Sequence, residues 1–212
     1  MIVLIANPKG GTGKTMLAHQ LAFLFAFRKM DVAVVDLHNP EDSDGIYFPV
    51  RYNYRNVQMP YSFHLRPGRT VHNEIDTELG KEFVIMDPVS GRMNAHHYAT
   101  SIADKIVVPV HCSPPSYMVT SRYLENYIND PRFGAVLIEF PATKDFLEET
   151  RSDLEQRLKI STLSESIPWS RAIDMAMDVQ DSLLNMPVFP FYAEKELNIP
   201  NQFLHLVDWL SS

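Results

Sequence analysis

The chain carries a single cysteine, Cys112, among its 212 residues. One thiol closes no disulfide within the chain and builds no cysteine-ligated metal or iron–sulfur site. It fits a reducing compartment, and its expected role is that of a small buried side chain. Positive charge is also scarce. Lys and Arg number 19 against 26 Asp and Glu, for a formal net charge of −7. A field of that sign argues against a dedicated nucleic-acid binder, although a local basic patch is decided by the fold. Long apolar runs are missing too. Leu21–Phe27 is far short of the roughly 20 residues that cross a bilayer. The start, Met1-Ile2-Val3-Leu4-Ile5-Ala6, is apolar but has no basic leader. No signal peptide is expected, and the cytoplasm is the expected location.

What remains is ordinary for a soluble domain: 45% hydrophobic and 21% charged residues. The length suits one domain over 1–212. Short β-rich runs at Ile2–Ala6, Val32–Asp36, Phe83–Asp87, Lys105–Val110 and Ala135–Phe140 alternate with helical patterns. The helices are expected at Lys14–Lys29, Met93–Ala103, Ser116–Ile128, Thr143–Leu158, Trp169–Leu184 and Asn201–Leu210. That alternation predicts an α/β fold, a mostly parallel twisted sheet with helices on both faces. Ligands of such sheets sit at the carboxyl ends of the strands, where Asp36 and Asp87 end two of the runs. The segment 37–80 breaks the rhythm and is rich in aromatics and arginine.

The strongest motif is Lys9-Gly10-Gly11-Thr12-Gly13-Lys14-Thr15. Glycines let backbone N–H groups turn inward around a phosphate, and the following helix adds its positive dipole end. Lys14 would reach the β- and γ-phosphates, and the Thr15 hydroxyl would meet magnesium. With Met16, which follows in the first turn, these residues form the expected nucleotide site. Pro8 stands where the ordinary phosphate loop has its first glycine, so the fit is to the variant with an extra lysine inside the loop.

That variant resembles the deviant Walker A motif of the ParA/MinD superfamily of P-loop ATPases. Val34-Val35-Asp36-Leu37 resembles the family's Walker A′ strand, and Phe83-Val84-Ile85-Met86-Asp87-Pro88 its Walker B strand. Ala103–Val110, and Ile167-Pro168 with Arg171, resemble later segments. The resemblance implies ATP and Mg2+ as ligands and a homodimer that forms with ATP. It makes Lys9 the signature lysine that reaches across to the partner's phosphates, so that catalytic roles fall to Lys9, Lys14 and Asp36. It gives magnesium to Thr15, Asp36 and, through water, Asp87. It also implies slow ATP hydrolysis, stimulated by a ParB-like protein or a cargo adaptor. The family usually has Asp-x-Asp where this chain has Asp36-Leu37-His38. Hydrolysis then depends on a partner, on His38, or on Glu41, Asp42 or Asp44. Glu139 stands where the family often has asparagine near the base.

Weaker signals have blander readings. The stretch 47–69 mixes aromatics with Arg51, Arg55, Arg66 and Arg69. It suits a partner surface or a small subcore better than stacking on nucleic acid. Arg151, Arg157, Lys159 and Arg171 recur where ParA relatives hold nonspecific DNA, but interleaved acids favour a solvated mixed-charge face. The tail Phe203–Leu210 is amphipathic, as in MinD relatives that bind membranes. It has no lysine or arginine after Lys195, so packing on the sheet is expected. His96, His97 and His111 are read as core or solvated histidines. The chain starts at its first strand, so the helix-turn-helix domain of larger ParA proteins is not expected.

The leading expectation is a small ParA-like ATPase that partitions or positions a plasmid, a chromosome region or a large protein assembly. A MinD-like membrane regulator, a ligase-like enzyme and a nucleotide-binding scaffold with little turnover are the alternatives.

Overall fold

A helix that is apolar on every face must be covered on every face, and the segment after the glycine loop meets that demand. In the computed structural model, α1 runs over Lys14–Phe27, and every residue from Met16 to Phe25 is buried. The structure describes residues 1–37, 61–65, 80–91, 93–139, 143–162, 166–168 and 199–212.

The strands are β1 (Ile2–Ile5), β2 (Val32–Asp36), β3 (Ser62–Leu65), β4 (Phe83–Asp87), β5 (Lys105–His111), β6 (Phe133–Glu139), β7 (Ser161–Thr162) and β8 (Ile167–Pro168). They form one eight-stranded sheet in the order β3-β2-β4-β1-β5-β6-β7, with β8 also pairing β6. Every pairing is parallel. The remaining helices are α2 (Met93–Ile102), α3 (Pro114–Leu124), α4 (Lys144–Ser152) and α5 (Ile199–Leu210).

Side chains alternate across each strand, and the core divides accordingly. Val3, Ile5, Val34, Ile85, Val107, Val136 and Ile138 pack with α1 and with Leu206, Val207 and Leu210 of α5. Ile2, Leu4, Val35, Met86, Val108 and Leu137 pack on the other face with Ala99, Tyr123, Leu124 and Leu154. Strands buried on both faces explain the near-continuous apolar runs in the sequence.

Two elements differ from the sequence expectation, and a third lies beyond comparison. The irregular segment 37–80 contributes β3, which extends the sheet beside β2. The helix expected over Thr143–Leu158 is α-helical only to Ser152 and continues as a π turn over Asp153–Arg157. Leu154 and Leu158 are both fully buried there. The helix expected at Trp169–Leu184 lies outside the described residues.

The tail packs as expected. The Trp209 ring sits so close to Gly134 that a Cβ there would lie 2.8 Å from it. Lys105 Nζ lies 4.7 Å from the same ring's centroid, and Arg28 pairs with Asp208 at 2.8 Å.

Candidate phosphate-binding site

The site grows from the carboxyl end of β1. Asn7 follows the strand and is fully buried. Its amide donates to the Pro109 carbonyl at 2.8 Å and to Thr120 Oγ1 at 2.9 Å, while its Oδ1 accepts the Lys9 N–H at 2.9 Å. One side chain thus ties the start of the loop to β5 and α3. Gly11 (φ +72) and Gly13 (φ +88) then turn the backbone through left-handed conformations that favour glycine. Gly13 is the N-cap of α1, and its carbonyl accepts from Leu17 N–H at 2.9 Å. The first turn of α1 contains no acidic residue, so the helix's positive end is left for an anion.

Lys14 folds back over the loop and is buried at 6% exposure. Its ammonium donates to the Lys9 carbonyl at 3.2 Å and to Ser90 Oγ at 2.7 Å. Burial pulls its pKa below the ordinary lysine value, Asp87 pushes it back up, and Lys9 lowers it further. An anion would reverse the largest of those effects by supplying charge where water is excluded. Thr12 Oγ1 donates to the Lys9 carbonyl at 3.2 Å, which tightens the loop. Gly10 is exposed, and a Cβ there would meet Ser90 Oγ at 3.7 Å. The Met16 side chain is buried in the core, so what it can offer a phosphate is its backbone N–H. Lys9 is half-buried. Among the described residues, no hydrogen bond or ion pair engages its ammonium.

Thr15 Oγ1 donates to Asp87 Oδ2 at 2.7 Å. Asp36 and Asp87 are register partners at the ends of β2 and β4, exposed only 4% and 1%. A hydroxyl and two carboxylates are hard oxygen donors. Magnesium bound with nucleotide phosphates needs one or two protein carboxylates and water rather than a full protein cage. The donor set therefore fits magnesium.

The sequence marked the loop, Asp36 and Asp87, and the fold brings them to one rim of the sheet. It did not mark Asn7 or Ser90. Asn7 could have been noticed as a lone polar residue between an apolar strand and the glycine loop. Ser90 reaches Lys14 across 76 positions, and no spacing rule connects them. His38, Glu41, Asp42 and Asp44 lie outside the described residues. Glu139, at the end of β6, accepts a hydrogen bond from the Ser166 hydroxyl.

The histidines match their core or surface reading. His96 is fully buried, with its Nε2 2.9 Å from the Val89 carbonyl. Burial, the main effect, lowers its pKa to about 4. Cys112 is also buried, and burial together with Glu139 pushes its thiol up to about 12. That removes it as a nucleophile. Arg157 pairs with Asp153 and Glu125, as a mixed-charge face would. Tyr61 and Phe63, from the aromatic-rich stretch, form a small subcore against His19 and Phe23.

A glycine loop between a parallel strand and a buried helix, with two carboxylates on neighbouring strand ends, defines a P-loop nucleotide-binding domain. Residues 3–183 match the CobQ/CobB/MinD/ParA nucleotide binding domain. The chain belongs to that family. Solved structures share the fold at low identity. The MinD cell division ATPase of Pyrococcus furiosus superposes with a TM-score of 0.67 at 16% identity, covering 99% of this chain and 98% of that one. A McdA–ATP complex from Cyanothece gives 0.66 at 16%, covering 99% and 96%. Cobyrinic acid a,c-diamide synthase of Mycobacterium smegmatis, with bound ATP analog and magnesium, gives 0.56 at 14%, covering 92% and 96%. A search of curated proteins finds no match to the sequence.

Proposed function

We propose that this protein is a ParA-like switch that binds ATP and magnesium and dimerises in that state. It uses the cycle to partition or position a plasmid, a chromosome region or a large protein assembly. The observation that carries the reading is the buried Lys14 ammonium beside Lys9, with Thr15 bonded to Asp87 one residue further on. The Gly10–Met16 backbone would cradle the phosphates, and Lys14 would bridge the outer two. Thr15, Asp36 and Asp87 would hold magnesium, which when bound neutralises phosphate charge. Lys9, whose ammonium no described residue engages, would reach a second copy's phosphates and make ATP part of the dimer contact.

The family match and the ATP- and magnesium-bound neighbours support the ligand assignment. Cargo positioning is favoured over membrane regulation because Leu206, Val207 and Leu210, the apolar face of α5, are buried in the core. Slow turnover, stimulated by a ParB-like protein or cargo adaptor, fits the single acid of Asp36-Leu37-His38. The same feature favours a second reading, a nucleotide-binding scaffold with little hydrolysis.

Light scattering on a sizing column, with and without Mg-ATP, tests the switch. The dimer mass is expected with ATP alone; one mass under both conditions refutes it. Phosphate release in the presence of candidate partners then separates the switch from the scaffold.

A further inference from the structure

The turn after β4 is pinned from two sides. Gly91 N–H donates to the Pro8 carbonyl at 3.0 Å. His96 Nε2, which must be the donor toward a carbonyl, holds Val89 O at 2.9 Å. Between them Ser90 is fixed above the glycine loop, 2.7 Å from Lys14 Nζ.

The direction of that bond matters. An ammonium has three protons and no acceptor, so Lys14 donates and the Ser90 hydroxyl keeps its own proton for another partner. The loop's N–H groups would cradle the α- and β-phosphates, and the lysine would extend the grip to the γ. Ser90 shares the tip of the lysine and belongs to a different element from the cradle. A tetrahedral phosphate that meets the lysine tip through one oxygen can turn a second oxygen toward the Ser90 hydroxyl.

We propose that Ser90 is a specificity-determining residue that donates its hydroxyl proton to the terminal phosphate of ATP, and so favours ATP over ADP. This rests on the nucleotide reading above and deepens it. Because Gly91 and His96 hold the turn in place, the hydroxyl is set before the nucleotide arrives, which spares the cost of ordering it on binding.

The test is calorimetric titration of the full chain with Mg-ATP and Mg-ADP. Ser90→Ala is expected to weaken ATP about tenfold, the usual scale of one hydrogen bond to a charged group, and ADP less than about twofold. Ser90→Thr, which keeps the hydroxyl, is expected to preserve the wild-type ratio of the two affinities within about threefold. If Ser90→Ala does not fold, as judged by its melting curve, Ser90→Cys carries the same expectation, because a thiol is a weak donor. An equal loss for both nucleotides would make Ser90 a brace for the loop and overturn the inference. An equal gain for both would make it only a resting place for Lys14, with the same consequence. Wild-type protein that binds neither nucleotide overturns the nucleotide reading along with it, whereas an unchanged ratio in a wild type that binds ATP overturns Ser90 alone.

Discussion

The two rims of the sheet are built on different terms. At the carboxyl rim, β1, β2 and β4 end in a turning loop, two buried acids and a buried lysine. Each costs stability on its own, since left-handed turns demand glycine and buried charge demands a partner. At the amino end of β6, Gly134 receives the Trp209 ring of α5 with no room for a Cβ. That contact is shape alone. The first rim gathers charge and turning backbone, and the second is filled by fit.

The contrast can be broken at either rim. Lys14→Ala should give the largest effect: loss of Mg-ATP binding by about 100-fold or more on the scale of buried charged contacts, and loss of the mass shift. Its melting temperature should fall only modestly, because relief of a buried ammonium offsets the loss of its attraction to Asp87. Calorimetry and a thermal melt together check this, and a strongly destabilised variant would contradict the division between rims.

Acidification comes next. The His96 pKa of about 4 and the His19 pKa of about 3 lie below the unfolded value of 6.5. Below pH 6.5 the unfolded chain takes up protons that the folded one refuses. Stability is therefore full above that pH and is lost as pH falls toward 4. The loss between pH 7 and pH 5 should be on the order of 2 kcal/mol per histidine, read from urea melts at each pH.

Gly134→Val should cost about 1–3 kcal/mol by overpacking against Trp209. Mg-ATP affinity should stay within about twofold, since the site lies at the other end of the strands. The smallest effect belongs to Arg28→Ala. Its bridge to Asp208 is solvent-exposed and should be worth less than about 1 kcal/mol in a denaturant melt.

The carboxyl rim was largely legible in the sequence. Glycines, lysines and strand-ending acids are chemical types with few other reasons to occur in that order. The fully buried strands were legible for a similar reason, as continuous apolar runs. β3 was not: Ser62-Phe63-His64-Leu65 sits amid polar and aromatic residues, and its pairing with β2 is a tertiary fact. β7 and β8 have two residues each, too few for a period to show. The π turn at Asp153–Arg157 escaped because a helical pattern of period 3.6 does not announce an inserted residue. Gly134 carried no signal of its own, since the ring that explains it arrives from α5, 75 residues later.

The bare positive end of α1 carries a further meaning in a chain whose net charge is −7. That net charge repels polyphosphates and other anions at a distance. Among the described residues, Lys9, Lys14 and the helix start make a small cationic port in that field. An anion approaching the chain is steered toward such a port and away from acidic surface, a funnel in the field. Added salt flattens both the repulsion and the funnel.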